Sequence, residues 1–211
     1  LYQMHWPDMV VPIEESLKAF DELVKEGKVR YLGTSNDTAY GLTKANETSK
    51  HLGISRFESI QNNFSLNNPR FLDELSTVCQ KEQISLLPYS PIGGGMLSGK
   101  YNGPFYPEGA RFTSYMQNKN PRVQAMATRF VNEKTKETTA QYMQLAKELG
   151  ISPVTLAVAW SKQFEFVAST IIGARLESQL DESLAAMDLD LSSETMAKIA
   201  QIQKDIMYPM G

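Results

Sequence analysis

Short apolar runs alternate with stretches of helical periodicity over the first ninety or so positions. Residues 1–5 (LYQMH) read as a strand that stops at Trp6-Pro7-Asp8, because proline cannot donate to a ladder. Residues 12–26 place Ile13, Leu17, Phe20 and Val24 at steps of four, three and four, then meet Gly27, which predicts an amphipathic helix with a glycine stop. Residues 29–34 (VRYLGT) form the second predicted strand, and residues 38–51 a weaker helix closed by Gly53. Residues 57–62 read as the third strand, and 69–82 as a helix carrying Phe71, Leu72, Leu75, Val78 and Cys79. Residues 84–90 (ISLLPYS) read as the fourth strand.

The strand starts lie about 28 residues apart, one βα unit each. Residues 93–133 break that rhythm. They are rich in Gly, Pro and Asn with scattered aromatics, and predict a long functional loop. Helices are predicted over 135–149 and over 153–163, the second with Ser152 as N-cap and Pro153 in its first turn. Residues 166–172 read as a fifth strand and 177–187 as a helix with Leu180, Leu184 and Met187 on one face. A last helix opens at Ser192-Ser193-Glu194 and carries Met196, Ile199, Ile202 and Ile206.

Regular βα repetition means an α/β fold with a parallel sheet, doubly wound or closed as a (β/α)8 TIM barrel. The uniform repeat favours the barrel. So do the polar residues gathered after strand ends: His5, Ser35-Asn36, Gln61-Asn62-Asn63 and Tyr89-Ser90. No GxGxxG follows any strand, which counts against a Rossmann fold. Only about five strands are present, whereas such a barrel takes about 250 residues. Residues 1–211 are therefore expected to be the C-terminal part of a single barrel domain, with about 85 residues or more upstream.

Composition narrows the function. The chain has 211 residues, 21 basic and 24 acidic side chains, and a net charge of -3. It therefore carries no electrostatic footprint for nucleic acid or an anionic membrane. Its longest apolar runs fall short of the ~20 residues of a membrane-spanning helix. Cys79 is the only cysteine, so no intrachain disulfide can form and a cytoplasmic setting is expected. Two histidines 46 positions apart offer no metal-ligand spacing.

Five segments in order, LYQMHWPD, GKVRYLGTSN, ESIQNNFSL, LLPYSPIGGGMLSGKY and STIIGARLESQLDES, resemble the aldo-keto reductase superfamily from its fourth barrel strand onward. The PEGARF segment and the helices after it resemble its Tas-like branch more than its aldose reductase group. The resemblance implies hydride transfer between NADP(H) and a small carbonyl substrate. It makes His5 the group that donates to the carbonyl oxygen as negative charge develops; a buried, hydrogen-bonded core His is the plainer reading. Trp6 becomes an apolar wall beside the substrate, where simple core packing is the alternative. Ser35, Asn36 and Gln61 become the clamp on the nicotinamide carboxamide, although Ser-Asn-Asp is also ordinary turn chemistry. Tyr89 is implied to stack on the nicotinamide ring.

By the same resemblance Ser90, Pro91, Ile92, Gly93, Gly95, Leu97 and Lys100 lie along the cofactor pyrophosphate. Arg111 either closes over the same phosphates or is a solvated surface residue. Gly173, Arg175, Gln179, Glu182 and Ser183 correspond to the adenosine segment, with Arg175 suited to a 2'-phosphate by charge and fork geometry. Many relatives carry Lys or Ser where this chain has Gly173 and Ala174, and Asn in place of Ser183. The family's proton-donor Tyr, its Lys and its Asp have no counterpart among these residues. Two functions stay open: a carbonyl reductase, or a non-catalytic NADP(H)-binding barrel similar to channel β-subunits. Oligomeric state is left open.

Overall fold

The computed structural model describes residues 1–210, which form two compact units. The first comprises Leu1–Asn63, Phe71–Tyr89 and Glu165–Ser169. It holds an all-parallel sheet in the order β1 (Tyr2–Met4), β2 (Leu32–Ser35), β3 (Phe57–Gln61), β4 (Ser85–Leu86). Helices α1 (Ile13–Lys25), α2 (Ala39–Leu52) and α3 (Leu75–Glu82) connect successive strands. This is the predicted βα repetition, an α/β fold whose four strands suit part of a barrel.

The apolar stripe of α1 turns Leu17 fully inward. Its Phe20 meets Tyr2 edge-on at 5.5 Å and Phe57 at 6.1 Å. Asp21 lies on the same buried face, where its carboxylate accepts from the Ser55 N–H and hydroxyl and pairs with Lys25 at 2.6 Å. Asn46 of α2 is buried too, and exchanges two 3.0 Å hydrogen bonds with the backbone of Phe57. Cys79 of α3 is 1% exposed, and burial pushes its thiol up to about 12.

Two predicted elements of this unit change. The helix expected over 69–82 is a 3₁₀ turn at Arg70–Leu72 followed by α3. The fifth strand expected over 166–172 is a single parallel bridge between Leu86 and Val167. The Leu86 N–H donates to Phe166 and the Ala168 N–H donates to Leu86. The next donor on that side of the ladder is position 88, a proline with no N–H, and pairing stops there.

The second unit comprises Phe64–Arg70, Ser90–Phe164 and the chain from Thr170 onward, and it is helical. After a 3₁₀ turn at Gly93–Ser98 come α4 (Arg111–Met116), α5 (Pro121–Phe130), α6 (Glu133–Glu148), α7 (Pro153–Lys162), α8 (Ser178–Leu184) and α9 (Ser193–Asp205). Asn120, Asn132, Ser152 and Ser192 each cap the helix that follows by accepting a backbone N–H. The span 93–133 thus carries a 3₁₀ turn, α4 and α5, with non-helical chain at 99–110 and 117–120. Its aromatics converge: Tyr101 and Phe112 are buried with Met96 and Val131, and Phe112 stacks on Phe130 at 4.8 Å. Helix α7 is buried from Val154 to Ser161, and its Trp160 lies 4.6 Å from Phe64.

No helix among the described residues is long and apolar enough to cross a membrane.

Candidate cofactor and catalytic site

Parallel strands deliver their C-terminal ends to one edge of the sheet. In the first unit those ends carry the polar residues singled out above. Leaving β2, the chain turns through Asn36 in a left-handed conformation (φ 55°), and the Asn36 N–H donates to the Gln61 carbonyl at 3.1 Å. The Asn36 amide nitrogen donates to the His5 carbonyl at 2.9 Å and to the Ser35 hydroxyl at 3.1 Å. The Tyr89 hydroxyl donates to Asn36 Oδ1 at 2.7 Å, and Ser35 Oγ donates to the Gln61 carbonyl at 2.7 Å. Ser35, Asn36, Tyr89 and the Gln61 backbone thus form one network. The Gln61 side chain instead donates to Gln3 Oε1 at 2.8 Å.

Asn62, next along from Gln61, donates to the Asp37 carbonyl at 3.2 Å, while its own Oδ1 is buried and accepts from no protein group. A buried acceptor without a donor is costly, and an amide N–H2 is the kind of group that would satisfy it. Two hydroxyls and two side-chain amides, one of them with its oxygen unfilled, suit a carboxamide. The His5 ring is exposed and lies 5.8 Å from the ring of Trp6, itself 61% exposed. Neither residue is a core residue.

In the second unit Ser90, Gly93, Gly94 and Gly95 all have positive φ. The N–H groups of Gly93, Gly95 and Leu97 close this turn on the Ser90 and Ile92 carbonyls, so they point inward and not at a ligand. Pro91 and Leu97 are buried and Ile92 is half-buried. Lys100 lies across Gly95: a Cβ there would come within 2.7 Å of its ammonium. Burial, and then the charge of Arg175, pulls the Lys100 ammonium below its ordinary value.

The Arg175 guanidinium donates to the Gly109 carbonyl, two residues before Arg111. Arg111 lies over the Tyr115 ring at 5.6 Å. Among the described residues none of these three cations pairs with a carboxylate. Cations without a carboxylate partner are of the kind that pair with phosphate groups. Gln179 Oε1 accepts from the Arg175 N–H at 2.9 Å, so Arg175 and Gln179 are joined. Gly173 and the Glu182 side chain are exposed. Ser183 is buried in α8 and turned inward with Ala186, away from any surface ligand.

Sequence reasoning missed the supports. Gln3, Thr34 and Asp37 touch the clamp residues or their neighbours, and nothing in their spacing marks them.

The parallel sheet of the first unit thus gathers amide and hydroxyl groups at its strand ends. Residues 1–204 match the Aldo/keto reductase family, and the chain belongs to it. That family has the (β/α)8 barrel and generally binds NAD(P)H. The chain is 33% identical to Protein tas of Escherichia coli (strain K12), over 99% of this chain and 63% of that protein. It is 30% identical to a putative voltage-gated potassium channel subunit beta of Schizosaccharomyces pombe, over 94% of this chain and 57% of that protein. It is 29% identical to probable aldo-keto reductase 1 of Glycine max, over 94% of this chain and 53% of that protein. The chain spans less than two thirds of the length of each.

Proposed function

We propose that the intact protein reduces aldehydes or ketones to alcohols with NADPH, and that this chain supplies His5 and most of the cofactor-binding groups. The observation that carries the reading is the network of Ser35, Asn36, Gln61 and Tyr89 at the strand ends, with the unfilled Asn62 acceptor next in sequence. When bound, the nicotinamide supplies the hydride that the carbonyl carbon accepts. Ser35, Asn36 and Asn62 hold the carboxamide and so fix which ring face is presented. Tyr89 offers a ring face for stacking. His5 donates to the carbonyl oxygen as it gains negative charge, and Trp6 gives that substrate an apolar wall.

Lys100 and Arg111 hold the pyrophosphate along the Ser90–Leu97 turn, and Arg175 takes the 2'-phosphate that separates NADP from NAD. Gly173, Gln179 and Glu182 border the adenosine. The alkoxide also needs a proton, and no residue here matches the family's Tyr, Lys and Asp motifs. The 211 residues alone are therefore expected to give no NADPH-dependent reduction of model aldehydes. In the intact protein, Tyr89→Ala should weaken NADPH binding about tenfold, the worth of roughly 1–1.5 kcal/mol of stacking. Quenching of protein fluorescence measures it, and unchanged affinity in a folded variant removes Tyr89 from the site.

A second reading, a cofactor-binding subunit without turnover, is favoured by the channel β-subunit relatives. Repeated turnover of NADPH with an aldehyde panel excludes it. A single equivalent consumed per protein supports it.

A further inference from the structure

We propose that Asp37 is a positioning residue for Asn36: tied to Thr34 and to the Thr38 N–H, it fixes the left-handed turn that aims the Asn36 amide into the carboxamide clamp. The inference rests on the clamp described under the proposed function. Asn36 adopts a left-handed conformation that Asn tolerates better than most L residues, and its N–H donates to the Gln61 carbonyl at 3.1 Å; the turn that follows it is fixed by further contacts. Its amide is fixed by His5, Ser35 and Tyr89, which set the side chain but not the turn.

Asp37 sets the turn from both sides. One carboxylate oxygen accepts from the Thr34 hydroxyl at 3.1 Å, two residues before Asn36. The other accepts from the Thr38 N–H at 2.8 Å. The Asp37 carbonyl accepts from Asn62, joining the same turn to the residue with the unfilled acceptor. Asn36 is thereby bracketed on each side of the chain.

Helix capping does not explain this carboxylate. Thr38 already caps α2 by accepting the Gly41 N–H at 3.0 Å. Asp37 is 6% exposed and has no cationic partner among the described residues, and its burial raises the carboxyl above its ordinary value. A buried, unpaired acid is an expensive way to hold a turn that needs only a cap. The first turn of α2 is also hollowed out to receive it. A Cβ at Gly41 would lie 2.0 Å from Asp37 Oδ1, so only glycine leaves the carboxylate its place.

The test is a mutant cycle read by NADPH titration of the intact protein through fluorescence quenching. Asn36→Ala and Asp37→Ala should each weaken binding about tenfold, and the double variant no more than either alone. Asp37→Asn keeps an acceptor for Thr38 and a partner for Thr34, and should stay within about threefold of wild type. Gly41→Ala should displace the carboxylate and reproduce the loss in affinity, and adding Asn36→Ala to it should weaken binding no further. An Asp37 that merely stabilised the fold would give losses that add to that of Asn36→Ala.

Additive losses in the double variant, or wild-type affinity in Gly41→Ala, would overturn the proposal. Asn36→Ala weakening binding while Asp37→Ala leaves it intact sinks this inference alone. Wild-type affinity in Asn36→Ala sinks the clamp itself, and the proposal with it.

Discussion

Tyr89 makes two separable contributions, a ring face and a hydroxyl that donates to Asn36 Oδ1 at 2.7 Å. Tyr89→Phe keeps the ring and removes the donor. It should cost about 1 kcal/mol of stability while weakening NADPH binding less than Tyr89→Ala does, as denaturant melts and quenching titrations would show. Arg175 divides the cofactors differently. Arg175→Ala should lose about ten- to a hundredfold in NADPH affinity and almost none for NADH, because only one of the two carries a 2'-phosphate. Equal losses would mean that Arg175 acts through its contact with Gly109. The clamp residues are legible in the chain because each follows an apolar strand run, where a parallel sheet opens. Asp37 is not. It directly follows Ser35-Asn36, where an acid reads as turn chemistry, and its bracing depends on an empty Cβ position four residues on, in another element.

Asp21 shows the same principle at the level of elements, since it fastens α1 to the turn before β3. The Lys25 ammonium first, and then the Ser55 N–H, hold its carboxyl down at about 2. A group lowered in the folded state stabilises it fully above the ordinary value of 3.8, and that contribution fades as pH falls toward 2. Asp21→Asn should therefore cost about 1–3 kcal/mol at neutral pH and converge on wild type in acid, followed by far-UV circular dichroism. Helix limits were legible where caps are written in the chain, as at Ser152-Pro153. The fifth strand was misread because its residues are strand-like, while the deciding position, Pro88, lies in the neighbouring strand. The helices of 93–133 escaped notice because Tyr101, Tyr106, Phe112, Tyr115 and Phe130 converge from separate short segments and share no single period.

Within the first unit, protection is unevenly distributed. Every residue of β2 is buried, whereas β1 lies at the sheet's edge among the described strands and its Tyr2 is half exposed. Amide hydrogen exchange should be slowest in β2 and β3 and fastest in β1. Leu1, Trp6, Met9 and Val10, each at least 60% exposed, add apolar surface around that edge. The 211 residues by themselves should elute from size-exclusion columns as more than a monomer; a monodisperse monomer would contradict this. Cys79 sits inside the same unit, 1% exposed and with its thiol pushed up to about 12. In the closed state it is neither reachable nor ionised at neutral pH, so alkylation must wait until α3 is released. As the chain's only cysteine, it can gain just one adduct. The rate at which iodoacetamide adds that single mass step, read by mass spectrometry, then reports the fraction of time the unit spends open.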